Sequence, residues 1–430
     1  MADKKILIYD GTILANALKK NAARSGIFFA AYNIFKELLK RKDIELKLYC
    51  DPWHMARLRK LLAAEFKGYP LEILNASEEG YFISKKLYCL QKKAEYGEKK
   101  QKFLKTYYHF LAQINGVSAA LLPQGRGWTA KLENASVFFS PVFAAPAKIA
   151  KCRSLKKFIF LYDTLPLIFP KYFSNTSWYK RLLRSINEED FYFTSSQCVK
   201  QDFIKYAPRI NAEHITVVPL AANLKYSRVT DAAALSAARK KYNIPRDKKY
   251  LLSVCTLEPR KNLIFAVRGF IAFIKKYNIE NMIFVLGGAS WESFKEKFSS
   301  AVEDLDKYRD RIMQTGYVDD ADMNALYSGA EMFVYPSLYE GFGMPILEAM
   351  QSGVPVICSN TSSMPEVAGD AALLIDPKND GQLVNAFEKI YFDPQLRQNL
   401  IDQGLERGKL FSWEKTVDGI MEKVNSLLLK

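Results

Sequence analysis

The sequence predicts an α/β protein made of two doubly wound domains, and three observations carry that expectation. Short apolar runs alternate with amphipathic stretches of helical period, the pattern of parallel strands joined by crossover helices. The 430-residue length suits two domains of about 200 residues each. Charge is divided unevenly: residues 1–220 hold 36 Lys and Arg against 19 Asp and Glu, a net of +17, whereas residues 221–430 hold 26 against 27. A basic first half and a neutral second half call for different partners, with an anionic one for the first.

The elements follow in order. A strand over 4–9, a loop ending in Ser25-Gly26, a helix over 27–41, a strand over 44–50 and a helix over 53–66 give a βαβα start. Residues 76–120 are dense in Lys, Tyr, Phe and Leu and read as one or two basic amphipathic helices. They either lie on a membrane or lipid-linked acceptor or pack their aromatics inward as an ordinary surface pair. A strand over 157–163 ends in Tyr162-Asp163; strands over 191–196 and 215–220 flank a helix over 197–206. The first domain is expected to span 1–221. A hinge and a helix within 221–247 lead into the second, 222–410, with strands over 250–255, 283–288, 313–318 and 333–336 and a helix over 263–276. An amphipathic helix with Trp413 occupies 411–430.

Two segments carry the chemistry. Residues 333–365 read as buried strand, glycine-rich loop, helix, tight turn and second buried strand, with Glu340 on the loop and Glu348 early in the helix that Pro345 is suited to start. A helix start favours anions. The backbone amides of Gly341, Phe342 and Gly343 therefore suit a ligand's phosphates, and acceptor-only carboxylates suit the vicinal hydroxyls of a ribose or hexose. Solvated helix-end carboxylates beside a turn are the plainer alternative. In the second segment Arg260 and Lys261 stand at the carboxyl end of the 250–255 strand and before a helix, where open α/β sheets bind nucleotides. A planar fork beside a point charge suits a diphosphate. The pair could equally be a solvated basic turn. Asp319-Asp320 is expected to begin a helix rather than to hold a metal.

These segments resemble the family-4 retaining glycosyltransferases of the GT-B fold: Glu340 to Glu348 as an E-x7-E element, LEPRKN at 257–262, GVPVI at 353–357 and SSMPEVAGDAALLIDP at 362–377. The resemblance is strong over most of 190–420 and looser before it. It implies two Rossmann-like domains facing across a cleft, with the last helix crossing back onto the first domain. It further implies a catalytic set of Arg260 and Lys261 on a donor diphosphate, Glu340 on the donor sugar, and Asp163. The implied donor-binding set is Glu348 on the ribose with Gly341, Phe342, Gly343, Met344, Thr256, Gly26 and Tyr162. Three positions depart from the family's pattern: Phe28 replaces a second glycine after Gly26, Tyr162 a histidine before Asp163, and Thr256 an arginine. Asp163 then either contacts the sugar or caps the turn formed by Thr164, Leu165 and Pro166.

The implied reaction is retaining transfer from a nucleotide-diphosphate sugar to a glycan or polyprenyl-diphosphate-linked acceptor in surface-polysaccharide assembly, nearest to mannosyl- and rhamnosyltransferases. No cofactor and no metal is expected. An epimerase or phosphorylase using the same cleft, or a non-catalytic partner subunit, remain as alternatives. Six scattered cysteines and three histidines argue against zinc and disulfide frameworks. No zinc finger, RNP-type strand or helix-turn-helix pattern suggests nucleic acid. No apolar run reaches the roughly 18–20 residues of a membrane span, and the chain enters a strand without a signal-peptide pattern. The expected location is cytoplasmic, peripheral at an anionic inner membrane face.

Overall fold

The structure, a computed structural model, describes residues 4–18, 26–96, 124–173, 176–223, 225–256, 258–288, 302 and 304–428. Two six-stranded parallel sheets organise it. The first consists of β1 (Lys5–Asp10), β2 (Ile44–Tyr49), β3 (Val137–Ser140), β4 (Lys156–Leu161), β5 (Phe191–Thr194) and β6 (Ile215–Val217), in the order β2-β1-β3-β4-β5-β6. A parallel bridge from Leu48 to Ile73 extends it beyond β2. The second consists of β7 (Lys249–Val254), β8 (Met282–Gly287), β9 (Ile312–Gly316), β10 (Met332–Tyr335), β11 (Val356–Ser359) and β12 (Ala372–Ile375), in the order β12-β11-β10-β7-β8-β9. Every pairing is parallel, and helices cover both faces.

Burial on both faces explains the sequence of these strands. All six residues of β8, MIFVLG, are buried, as are the last five of β4. Only near-continuous apolar runs satisfy such positions. Most observed strands end a residue or more before the expected ones, and at several of them the first residues past the ladder, such as Cys50, Val218 and Cys255, are apolar and read as strand. β3 and β12 had no counterpart among the expected elements. Both are four residues long, and β12, at the sheet's edge, is buried at Ala372 and Ile375 but open at Leu373 and Leu374.

The segment expected to form basic helices over 76–120 contains helix Glu78–Tyr96; its remainder, including Lys99, Lys100, Lys102 and Lys105, lies outside the described residues. Among the described residues no helix is long and apolar enough to cross a membrane. Asp319 and Asp320 do not start a helix as expected. Asp319 pairs with Lys241 and Asp320 with Lys225, and the next helix, Met323–Ser328, begins after Asp322. Two facing lysines outcompete a helix terminus that is still several residues away.

The last helix, Trp413–Leu428, leaves the second sheet and packs on helix Gly26–Lys40 of the first. Trp413, 2% exposed, meets Phe29 edge-on at 5.9 Å and donates its indole N–H to Ala222 O at 3.0 Å. Lys5 to Asn425 and Arg41 to Asp418 close the seam at 2.8 and 2.6 Å. Burying one such aromatic is worth roughly 2–3 kcal/mol.

Candidate active site at the crevice

Strand order reverses between β1 and β3 in one sheet and between β7 and β10 in the other. Open α/β sheets take ligands at such points, outside the carboxyl ends of the strands. The β7 end runs into a single turn of 3-10 helix, Pro259–Lys261, closed by Asn262 in the left-handed region at φ 58°. The β10 end runs through Ser337 into the glycine loop before helix Met344–Gln351. Pro345 is the second residue of that helix; Met344 is the first, and Gly343 at φ 114° supplies the left-handed residue that a side chain would resist.

These two loops put Arg260, Lys261 and Glu340 in direct contact. Lys261 Nζ reaches Glu340 Oε1 at 2.6 Å and the Tyr335 hydroxyl at 2.7 Å, and that hydroxyl also donates to Glu340 Oε1 at 2.9 Å. Arg260 Nη1 reaches Glu340 Oε2 at 2.9 Å, while its Nε takes Glu258 Oε2 at 2.7 Å. Lys261 and Glu340 are both 7% exposed. Burial alone would push the Glu340 carboxyl up, but Lys261 and then Arg260 outweigh it and hold the group at about 2. Two cations and two carboxylates, Glu258 and Glu340, balance in charge. A diphosphate entering here competes with carboxylates for Arg260 and Lys261 instead of meeting free cations.

Glu348 occupies a different setting. Tyr327 donates to its Oε2 at 3.0 Å and Tyr226 also hydrogen-bonds it, yet burial raises its carboxyl to about 7. Lys225 opposes that shift without reversing it. Thr256 is exposed and donates to Glu258 Oε1 at 3.1 Å.

The first domain supplies the facing wall. Asp163 accepts from Leu165 N at 3.0 Å, so the carboxylate does cap the turn after β4, and burial raises it to about 6 against the opposing field of Arg260. The Tyr162 ring stacks on Phe160 with centroids 4.6 Å apart, and its buried hydroxyl has no hydrogen-bond partner among the described residues. At the end of β1, Asp10 is buried, held by Thr12 N at 3.0 Å, and likewise raised by burial to about 6. A Cβ on Gly341 would lie 2.3 Å from Tyr162 O and 2.9 Å from Asp163 Cβ, so only glycine lets the β10 loop approach this wall. Gly26 meets Met344 across the crevice: a Cβ there would fall 2.6 Å from Met344 Cε. Phe342 is buried instead against Phe411, with ring centroids 5.9 Å apart.

Sequence reasoning missed Tyr335, Tyr226 and Tyr327. They lie in strands, helices or hinge and read as core aromatics, although Lys261 and Tyr335 are 74 positions apart in sequence. Among the described residues no three His, Cys, Asp or Glu side chains stand close enough to hold a metal ion.

Residues 236–407 match the family model described as glycosyl transferases group 1. The O-antigen chain mannosyltransferase B of Escherichia coli is 31% identical over 296 residues, covering 68% of this chain and 75% of that protein. A serotype-specific mannosyltransferase WbdA of the same species is 27% identical over 272 residues, 62% of this chain but only 33% of the relative's length. Among solved structures, Anabaena Alr3699/HepE in complex with UDP and glucose superposes with a TM-score of 0.66 at 16% identity, over 99% of this chain and all of that one. WaaG, a glycosyltransferase of lipopolysaccharide biosynthesis, superposes with a TM-score of 0.59 at 12% identity, over 97% and 99%.

Proposed function

We propose that the chain, which belongs to the group 1 glycosyl transferases, moves a mannosyl residue with retention from a nucleoside-diphosphate sugar to a glycan or lipid-linked acceptor of a cell-surface polysaccharide. The observation that carries this reading is the buried Lys261–Glu340–Arg260 contact at the β7/β10 switch point. Glycosyl transfer develops oxocarbenium character on the sugar and negative charge on the departing diphosphate. Lys261 and Arg260 are fixed where that charge grows, and preorganised cations in a dry crevice cost no reorganisation at the moment of reaction. Glu340 aligns both and offers acceptor oxygens to sugar hydroxyls. Glu348, with Tyr226 and Tyr327, is suited to the ribose diol.

Mannose is supported by the names of the E. coli relatives, and a nucleotide donor by the UDP complexes among the structural neighbours. Protein cations at the leaving group leave no step that requires Mg²⁺. A lipid-linked acceptor at an anionic membrane suits the +17 of residues 1–220. The test is a panel of GDP-, UDP- and dTDP-sugars read by thermal shift and by transfer. A mannose nucleotide should raise the melting temperature and donate its sugar with EDTA present; stabilisation by UDP-glucose and by no mannose nucleotide would overturn the donor. Sedimentation with anionic but not neutral vesicles, reversed by salt, checks the membrane; no binding at low salt would place the acceptor in solution.

A further inference from the structure

The loop carrying Glu340 is held by both domains. Within the second domain Leu338 N donates to Arg260 O at 2.8 Å, and Ser363 Oγ donates to Glu340 O and Phe342 O at 2.9 and 2.7 Å. From the first domain Ser195 Oγ and Ser196 Oγ both donate to Gly341 O, at 2.8 and 3.2 Å. The Tyr339 hydroxyl, one residue before Glu340, donates to the Asp202 carboxylate and lies 3.2 Å from Thr164 Oγ1, which itself donates to Asp202 Oδ2 at 3.1 Å. Thr164 is fully buried and Tyr339 8% exposed. Burial, reinforced by Asp202, pushes the Tyr339 hydroxyl far above its ordinary value, so it acts as a neutral donor.

Asp202 sits on helix Gln197–Tyr206, whose first two amides, Gln197 and Cys198, are taken by Glu366 of the second domain at 2.7 and 2.8 Å. One helix of the first domain thus grips the second at two heights. Both side-chain partners of the Tyr339 hydroxyl belong to the first domain, while Tyr339 O accepts from Arg260 Nη1 at 3.3 Å. A displacement of Tyr339 therefore moves Glu340 through the chain and Arg260 through a hydrogen bond.

We infer that Asp202, Thr164 and Tyr339 form a positioning cluster that sets Glu340 and Arg260 in place only when the two domains are closed. The cluster makes no contact with the proposed Glu348 subsite, so nucleotide binding and turnover separate. This rests on the reading of Glu340 and Arg260 as the groups that face the donor, and the test is chosen to keep the two apart. Tyr339→Phe, Asp202→Asn and Asp202→Ala are compared by amide hydrogen exchange of residues 338–343, by affinity for GMP and UMP, which lack the β-phosphate of the diphosphate proposed for Arg260, and by kcat on the donor that the wild type uses.

Tyr339→Phe and Asp202→Ala should speed exchange of the loop amides and lower kcat, each by about tenfold or more, while nucleotide affinities stay within about twofold. Asp202→Asn, which keeps an acceptor oxygen, should recover part of both effects. A merely structural role would lower melting temperature, affinity and kcat together, and that pattern overturns the proposal. Wild-type exchange in Tyr339→Phe and Asp202→Ala also overturns it. Absence of transfer in the wild type with every sugar nucleotide would sink the donor reading alone, because the exchange measurement still decides the cluster.

Discussion

The two strand-order reversals share an architecture and differ in electrostatics. At the β7/β10 loops Lys261, Arg260, Glu340 and Glu258 each have a counter-charge within 3 Å: Lys261 and Arg260 with Glu340, Arg260 with Glu258. At the wall formed by β1 and β4, Asp10 and Asp163 have amide or hydroxyl partners but no cation in contact among the described residues, and the Tyr162 hydroxyl has no hydrogen-bond partner among them. The result is opposite shifts: the Glu340 carboxyl held at about 2, Asp10 and Asp163 raised to about 6. One edge holds paired charge in a buried place, as the proposed stabilisation of a leaving diphosphate requires. The other holds carboxyls whose protonation burial favours.

The largest effect should come from breaking the charged edge. Lys261→Ala or Arg260→Ala should reduce turnover by about a hundredfold or more, the usual cost of one preorganised donor. Lys261→Ala should also destabilise by about 3 kcal/mol, since a buried carboxylate loses its counter-ion. Steady-state rates at saturating donor with urea unfolding check both, and a normal kcat would remove the pair from the chemistry.

Glu348 sharpens the contrast because it stands on the charged side yet is raised to about 7. Glu340→Gln should mainly lower turnover, and Glu348→Gln should mainly weaken free nucleotide. If the ribose needs the carboxylate, wild-type nucleotide affinity rises as pH passes through about 7, and Glu348→Gln abolishes that rise. Calorimetric titrations between pH 6 and 8 decide it.

On the neutral edge the sign reverses. Asp163, raised above its unfolded value near 4, contributes stability that is complete below that value and is lost as pH rises through about 6. Asp163→Asn, still able to accept from Leu165 N, should flatten that decline in denaturation curves taken from pH 4 to 7. An unchanged slope would show the carboxylate to be solvated. Smallest of all, Tyr162→Phe should move stability by less than about 0.5 kcal/mol, because the hydroxyl it removes has no partner to lose. A larger loss would reveal a bond at that hydroxyl and close the gap between the edges.

Much of this was legible in the sequence because parallel strands buried on both faces leave unbroken apolar runs, as KFIFL and MIFVLG do. VFFS in β3 was too short to stand out, and the strand expected over 157–163 stops at Leu161 because Tyr162 and Asp163, half-buried beside it, turn into the crevice. Arg260, Lys261 and Glu340 could be found since each follows a strand end directly. Tyr335 and Tyr339 could not: inside an aromatic stretch they read as core. Asp202 looks like an ordinary helix carboxylate, and its partner stands 137 positions away on another domain. Local pattern records where a strand ends, not which loop will face it.

Placing Trp413 against Phe29 and Ala222 has a consequence in time. About 200 residues separate Val217 at the end of β6 from Trp413. A ribosome adding 5–20 residues per second needs roughly 10–40 s to cross that distance. Throughout that interval the first domain waits without its closing helix, and the face of helix Gly26–Lys40 that Trp413 will cover stays open while an entire second domain emerges and folds beside it. Until Trp413 docks, that apolar face is available to aggregation and to holding chaperones.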